Sequence, residues 1–250
     1  MTQACHRDDR GIYLWHAAIA KQNRGPLEKR CWTWLTENER RRTEKFRLPS
    51  SQNQHLVGKG MARWLLSNNK SNLSQLQFKI TDQGKPYVDQ PADAKRPFNL
   101  SHTDGLAVCL IGSRDYRCVG VDVERLDRNT SPDLANRYFS PPEVAKLKKI
   151  QEPQAKKQMF LKIWTLKEAF IKAIGTGLRT PLSAFAFENL NSPNPSIEFL
   201  DRSLNDGLNW NFYSFQPRAG FVCSTAVGSA LPSDLTTCKI RSFEEEIDLN

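Results

Sequence analysis

The chain has 250 residues, of which 39% are hydrophobic and 25% charged, and its formal net charge is +9 at pH 7. A globular chain of this composition and length forms one large domain or two small ones with a real core. No apolar run approaches the roughly 20 residues that a membrane span requires, which excludes a membrane-spanning protein. The first ten residues mix charges without an apolar stretch, so we predict no signal peptide and expect a cytoplasmic protein.

Basic residues concentrate early in the chain. Between Lys21 and Ser67 there are eleven Lys or Arg and four Glu, whereas residues 201–250 hold four basic and seven acidic residues. An anionic partner therefore fits the early region. Nucleic acid is one alternative, but no RNA-recognition or zinc-finger motif accompanies the basic residues, and we expect neither nucleic acid nor a membrane as partner.

The first half of the chain predicts a strand over residues 11–17 and two helices after it. In the first helix, over 31–46, Thr36 and Glu39 have the spacing of a capping box. A break at 49–51 precedes the second helix, over 54–66, whose apolar residues recur at helical spacing. A short strand over 76–80 then leads to a turn over 82–87, which contains Gly and Pro.

The later elements indicate a mixed fold. Residues 98–105 are predicted as a loop that enters a strand over 106–111, and this strand would form a hairpin with the next one, over 118–124. A long helix over 154–174 follows. Strands are predicted over 185–187, 209–215 and 221–227. Helices that alternate with antiparallel hairpins indicate an α+β fold.

Two carboxylates on one strand face are the first candidate site. Side chains alternate between the faces of a strand, so three valines over 119–123 point to a core while Asp122 and Glu124 share the other face. Gly120 would leave open space beside them. Such carboxylates repel each other unless a cation lies between them, and Mg²⁺ prefers oxygen ligands of this kind. An exposed face with two incidental acids is the alternative.

The long helix carries further candidates beside an apolar stripe. Glu168 and Lys172 are four residues apart, so they either form an ion pair worth about 0.2–0.5 kcal/mol or serve a site. In the second interpretation Glu168 binds a metal, and Lys167 and Lys172 bind a phosphate. His102, next to Ser101 and just before a strand, is either a surface residue or a donor to an anionic oxygen.

Five segments over residues 84–177 are informative because of their order and separation. They are Gly84-Lys85-Pro86, Phe98-Asn99-Leu100-Ser101-His102, Gly120-Val121-Asp122-Val123-Glu124, Phe139-Ser140-Pro141-Pro142-Glu143, and Trp164-Thr165-Leu166-Lys167-Glu168-Ala169 with Lys172. In order and separation they resemble the motif series of the Sfp-type 4′-phosphopantetheinyl transferases. The basic segment over 35–66 resembles the N-terminal helices of that family.

The resemblance implies a fold and a reaction. Members transfer phosphopantetheine from coenzyme A to a serine of an acyl, peptidyl or aryl carrier protein and release adenosine 3′,5′-bisphosphate. The implied fold is an α+β pseudo-dimer of two similar subdomains, residues 1–117 and 118–250, each a small antiparallel sheet packed with helices. Coenzyme A would bind between the subdomains of a monomer. Carrier proteins are generally acidic around the modified serine, which suits a basic surface.

The resemblance also implies roles for individual residues. Asp122, Glu124 and Glu168 would bind Mg²⁺, and Glu168 would also be the base towards the carrier serine. Glu143 would have a supporting catalytic role, and Lys172 would stabilise the departing diphosphate. The implied coenzyme A contacts are Arg42, Lys59, Arg63, Lys85, Ser101, His102, Lys167 and Lys172.

One position departs from the family pattern. Gln54 stands where members often carry an arginine for the 3′-phosphate of coenzyme A. Arg42, Lys59 and Arg63 are the candidates for that task. Another magnesium-dependent phosphoryl-transfer or phosphodiester enzyme is the alternative function, because it could also use three carboxylates.

Overall fold

The computed structural model describes residues 11–68, 70–230 and 237–249, and at residue 178 it describes only the backbone. The first ten residues, on which the prediction of no signal peptide rests, lie outside this range. Within the range, no helix combines the length and the apolar character that crossing a bilayer requires. Cys109 and Cys223 are buried free thiols.

The described residues of the first half form three α-helices and five strands. They are β1 (Ile12–Ala18), α1 (Pro26–Trp34), α2 (Glu37–Glu44), α3 (Pro49–Leu66), β2 (Gln77–Ile80), β3 (Pro86–Gln90), β4 (Phe98–Thr103) and β5 (Leu106–Ile111).

The second half again begins with a strand. Its elements are β6 (Tyr116–Arg125), α4 (Ala135–Tyr138), α5 (Pro141–Lys148), α6 (Pro153–Ile174), β7 (Phe185–Glu188), β8 (Ser196–Phe199), β9 (Asn209–Phe215) and β10 (Phe221–Ser229). Strand β11 (Cys238–Ser242) and helix α7 (Phe243–Glu246) end the described chain.

The two halves repeat one order of elements. In each, a first strand leads to a long helix, α3 or α6, and then to a two-stranded hairpin, β2–β3 or β7–β8. Two further antiparallel strands complete the sheets β1-β5-β4 and β6-β10-β9. In both sheets the last strand lies between the first and the penultimate one. The predicted α+β fold of two similar subdomains is therefore confirmed.

The predicted hairpin of β5 with β6 is wrong. Strand β5 already has a neighbour on each side, β1 and β4, so it offers no free edge. Strand β6 pairs instead with β10, in the second sheet. The segment over 98–105 was predicted as a loop, but its first six residues form β4, because their backbone groups pair with β5.

The helix boundaries show how local capping overrides periodicity. The predicted capping box is confirmed: the Glu39 carboxylate accepts hydrogen bonds from the Thr36 backbone N–H, at 3.0 Å, and the Thr36 hydroxyl caps the Glu39 N–H. This cap begins a new helix, so the single helix predicted over 31–46 is two. Pro49 does not break the chain. It is the first residue of α3, where a missing N–H costs no hydrogen bond.

The described residues form three apolar clusters, one on each sheet and one that joins the halves. One packs α1, α3 and α7 on the first sheet, and another packs α6 on the second sheet. The third lies between the two sheets, where Ile12 and Leu14 of β1 face Val119, Val121 and Val123 of β6. The prediction that these valines point to a core is confirmed, since each is at most 1% exposed.

The C-terminal segment returns to the first half. Strand β11 pairs in parallel with β1, and Phe243 of α7 is fully buried in the first apolar cluster. The predicted boundary after residue 117 falls inside β6, two residues beyond the point where the second sheet begins. The assignment of all of 118–250 to the second subdomain is wrong for β11 and α7, because β11 pairs with β1 and Phe243 packs in the cluster on the first sheet.

Candidate active site

The site is built where α6 crosses β6. A Cβ on Gly120 would lie 2.0 Å from the Ala169 carbonyl oxygen and 2.5 Å from the Ala173 backbone nitrogen. Only glycine permits such an approach, so the expected open space beside Gly120 is filled by helix backbone. The close approach brings the strand face that carries Asp122 against the helix face that carries Lys172.

Asp122 is the most connected carboxylate of the site. Its Oδ1 accepts hydrogen bonds from the Lys172 ammonium, at 2.7 Å, and from the Ser101 hydroxyl, at 3.0 Å. The same ammonium donates to the Ser101 oxygen, at 3.0 Å. Lys172 therefore pairs with Asp122, and the described structure shows no ion pair between Lys172 and Glu168.

The charge of Asp122 affects the pKa of the other two carboxylates, Glu124 and Glu168. Burial, followed by the charge of Asp122, raises the pKa of Glu124 to about 7. The same two causes raise the pKa of Glu168 above its usual range. Glu124 forms an ion pair with Arg128 and accepts a long hydrogen bond, of 3.5 Å, from the Thr103 hydroxyl. Ionised carboxylates at these three positions destabilise one another.

These residues suit a divalent cation in chemistry but do not form a closed set of ligands. Over residues 11–68, 70–230 and 237–249, no three His, Cys, Asp or Glu side chains are grouped so as to hold a metal as they stand. Asp122 Oδ2, however, is buried with no hydrogen-bond partner among the described residues. An orphaned carboxylate oxygen beside two carboxyls of raised pKa fits a hard cation. The magnesium triad therefore stays a prediction.

A cleft of about 650 Å³ opens between the two halves, and of the three carboxylates Glu168 lines it. The turn over 83–86 and Leu100 line it from the first half, and Glu168, Lys172 and the segment over 180–182 line it from the second. The rings of Trp164 and Tyr138 pack at nearly a right angle on its wall, with centroids 6.2 Å apart. Such a cleft has room for a small organic ligand.

Lys85 joins the halves at this cleft. Its ammonium donates to the backbone carbonyls of Val119, at 3.1 Å, and Ala173, at 2.7 Å. Burial lowers its pKa to about 8. On the neighbouring strand, the Asn99 side chain accepts a hydrogen bond of 2.9 Å from the Val121 N–H and so fixes β4 on β6. Lys85 is thus brought to the cleft, as its assignment to coenzyme A requires.

The three candidate cations for the 3′-phosphate of coenzyme A lie in different environments. Arg63 is 3% exposed; it pairs with Glu39, at 2.7 Å, and donates to two backbone carbonyls. It cannot reach a phosphate from there, so its predicted coenzyme A contact is wrong. Arg42 is exposed and Lys59 is half-buried. The pKa of His55 is lowered to about 4, chiefly by burial and further by the charges of Lys59 and Arg42.

His55 lies on α3, near Lys59 and Arg42. The charges of Lys59, Arg42 and His102 all lower the pKa of its imidazole. His102 lies on the exposed face of β4, one residue from Ser101. Sequence reasoning gave His55 no role. The signal available was its position one helical turn before Lys59 on α3.

Lys167 and Glu143 form a buried structural pair. Lys167 is fully buried; its ammonium lies 2.8 Å from the Glu143 carboxylate and donates to the Leu182 and Phe185 carbonyls. Glu143 in turn accepts hydrogen bonds from Ser140, at the start of α5. The predicted contact of Lys167 with a phosphate and the predicted catalytic role of Glu143 are therefore wrong. The pair ties α5 to α6 and to the segment that walls the cleft.

The comparisons with known proteins agree with this architecture. The family model described as the 4′-phosphopantetheinyl transferase superfamily matches residues 118–226. A second model, described as 4′-phosphopantetheinyl transferase, N-terminal, matches residues 28–114. The two matches meet where the chain passes from the first sheet to the second.

Curated relatives match over most of their length. A 4′-phosphopantetheinyl transferase of Bacillus subtilis is 29% identical over 70% of this chain and 75% of its own. The 4′-phosphopantetheinyl transferase HetI of a Nostoc species is 33% identical over 67% of this chain and 70% of its own. The 4′-phosphopantetheinyl transferase Sfp of Bacillus subtilis is 27% identical over 76% of this chain and 80% of its own.

Proposed function

The chain belongs to the 4′-phosphopantetheinyl transferase superfamily, and we propose that it moves 4′-phosphopantetheine from coenzyme A to a serine of an apo carrier protein. The observation that carries the proposal is the cleft between the halves, because it brings Lys85, Glu168 and Lys172 together beside Asp122. A cleft with cations and a carboxylate of raised pKa is suited to a diphosphate donor and a hydroxyl acceptor.

The proposed reaction exchanges one phosphorus–oxygen bond for another. The serine Oγ bonds to the phosphorus that carries pantetheine, and the bond from that phosphorus to the bridging oxygen breaks. Adenosine 3′,5′-bisphosphate leaves with the bond's electron pair. Glu168 takes the serine proton, for which its raised pKa makes it a better base than an ordinary carboxylate.

The cations of the cleft hold the donor. Lys172 lies on the wall next to Glu168 and stabilises the charge that develops on the leaving phosphate. Lys85 and His102 contact the phosphates or the adenosine part of coenzyme A. Arg42 and Lys59 are proposed to hold the 3′-phosphate in place of an arginine at position 54. The charges of both act on the nearby imidazole of His55.

Magnesium is the proposed metal. Asp122, Glu124 and Glu168 would hold it, and when bound it neutralises charge on the diphosphate. The orphaned Oδ2 of Asp122 and the raised pKa of Glu124 support this assignment.

The acceptor is proposed to be an acyl, peptidyl or aryl carrier protein with an acidic surface. The net charge of +9 supports this, since opposite charges accelerate encounter. Because both halves needed for the cleft come from one chain, we propose a functional monomer. A cytoplasmic location remains part of the proposal.

Mass spectrometry of the carrier tests the function. The protein is incubated with coenzyme A, Mg²⁺ and apo carriers of the acyl, peptidyl and aryl types. We expect one carrier or more to gain the mass of a single phosphopantetheine. The matched control is the same carrier with its serine replaced by alanine, which should gain nothing. No mass gain with any of the carriers would contradict the proposed function.

A further inference from the structure

Two carboxylates of the candidate metal site are neutralised by the chain itself. Lys172 pairs with Asp122, and Arg128 pairs with Glu124. The carboxylates are largely buried, with side chains 9% and 15% exposed. Two positive side chains thus stand beside the two strand carboxylates, and together they carry the charge of one divalent ion.

The two cations differ in how firmly they are held. The Lys172 ammonium donates to the Ser101 hydroxyl as well as to Asp122, so two partners fix its position. Arg128 lies in the turn after β6, four residues beyond Glu124, and its side chain is 42% exposed. The only carboxylate it contacts among the described residues is Glu124. Its guanidinium carbon lies 5.8 Å from the centre of the Trp164 ring, on the cleft wall.

We propose that Arg128 is an internal counter-cation that competes with the divalent metal for Glu124. This inference rests on the proposed magnesium site. A guanidinium and a metal ion at one carboxylate repel each other, so binding of the metal must weaken or displace the Arg128 pair. Arg128 therefore acts as an autoinhibitory contact: it stabilises the carboxylates before the metal arrives and lowers the affinity for the metal.

The expected effect of Arg128 on the affinity for the metal follows from the exposure of its ion pair with Glu124. Ion pairs between a half-exposed guanidinium and a carboxylate contribute little, which corresponds to about two- to fivefold in a dissociation constant. Displaced from Glu124, the guanidinium remains beside Trp164, since attraction to an aromatic face does not depend on the carboxylate.

Calorimetric titration of Mg²⁺ into the metal-stripped protein, without coenzyme A, tests the inference. At pH 8.5, Arg128→Gln should bind Mg²⁺ about two- to fivefold more tightly than the wild type, and Arg128→Lys should fall between them. The matched control is Arg125→Gln. Arg125 lies in the same strand end but pairs with Asp104 and Asp127, so its loss should leave the affinity unchanged.

The outcomes separate the inference from the proposed function. Equal or weaker binding by Arg128→Gln, with normal binding by the wild type, would leave the metal site standing and overturn the role of Arg128. If neither protein bound Mg²⁺ while both melted cooperatively, the metal site itself would fall, and the inference with it. A gain of the same size in Arg125→Gln would show a general charge effect and would also overturn the inference.

Discussion

The two halves share an order of elements but differ in what lies between the first strand and the long helix. In the first half, Tyr13, Trp15 and Ala17 of β1 fill that space within an apolar cluster, and α3 lies over β4 and β5. In the second half, Gly120 admits α6 directly onto β6. The equivalent strand face there carries Asp122 and Glu124.

The difference separates stability from chemistry. The aromatic residues of the first half bury large apolar areas and contribute to folding. The second half places carboxylates at a helix crossing where burial and mutual repulsion raise the pKa of two of them. The same order of elements therefore stabilises the fold in the first half and builds the candidate site in the second. The side chains on one face of the first strand, β1 or β6, make the difference.

Substitution of the glycine at the helix crossing should have the largest effect. Gly120→Ala would place a Cβ 2.0 Å from a carbonyl oxygen of α6, and helix backbone cannot move aside cheaply. We expect a loss of at least about 3 kcal/mol in the free energy of unfolding, measured by urea denaturation.

A glycine of the first half provides the control for that variant. A Cβ on Gly58, within α3, would have no atom within 4 Å. Gly58→Ala should therefore stabilise the protein by about 0.5–1 kcal/mol, because alanine is the better helix former. If both variants changed stability alike, the close approach of α6 to β6 would not be what distinguishes the halves.

Removal of the proposed base should separate activity from stability. Glu168→Gln should reduce the rate of transfer by about 10²- to 10⁴-fold. Its melting temperature should stay the same or rise, since burial and the charge of Asp122 disfavour ionised Glu168. Steady-state kinetics and a thermal melt measure the two effects. Glu188→Gln removes an exposed carboxylate after α6 and should change neither. Near-normal transfer by Glu168→Gln would exclude Glu168 as the base.

The smallest effect concerns pH. Burial and Asp122 raise the pKa of Glu124 from 4.5 to about 7, so the folded state binds this proton more tightly than the unfolded state does. Without metal, this group should therefore lower stability by roughly 1–3 kcal/mol as the pH rises from about 4.5 to 7. Urea denaturation in EDTA at pH 5 and pH 8 measures it. Glu124→Gln should match the wild type at pH 5 and exceed it at pH 8; an equal difference at both pH values would contradict the assignment.

Local patterns predicted some features of the site well. Alternation along β6 predicted which side chains face the core, because a strand has a fixed two-residue period. The capping box at Thr36 was predicted for a similar reason, since its contacts span three residues. The motif order predicted the family, and with it the two similar halves.

Features that depend on long-range packing were not predicted. Lys167 and Lys172 are five residues apart, hence about 140° around the helix, and the sequence does not say which side meets the cleft. Arg63 has the same charge as Arg42, but only the fold places it beside Glu39. The hairpin error arose because strand neighbours in sequence need not be neighbours in a sheet.

The parallel pairing of β1 with β11 has a consequence for synthesis of the chain. Ile12 leaves the ribosome well before its partner Cys238, which follows it by 226 residues. At usual elongation rates the interval is on the order of ten seconds or more. For that time one edge of β1 has unpaired N–H and C=O groups, which other strands can join. The sheet that contains β1 is thus completed only after β6 to β10 have been translated, and β1 stays exposed to misassembly until then.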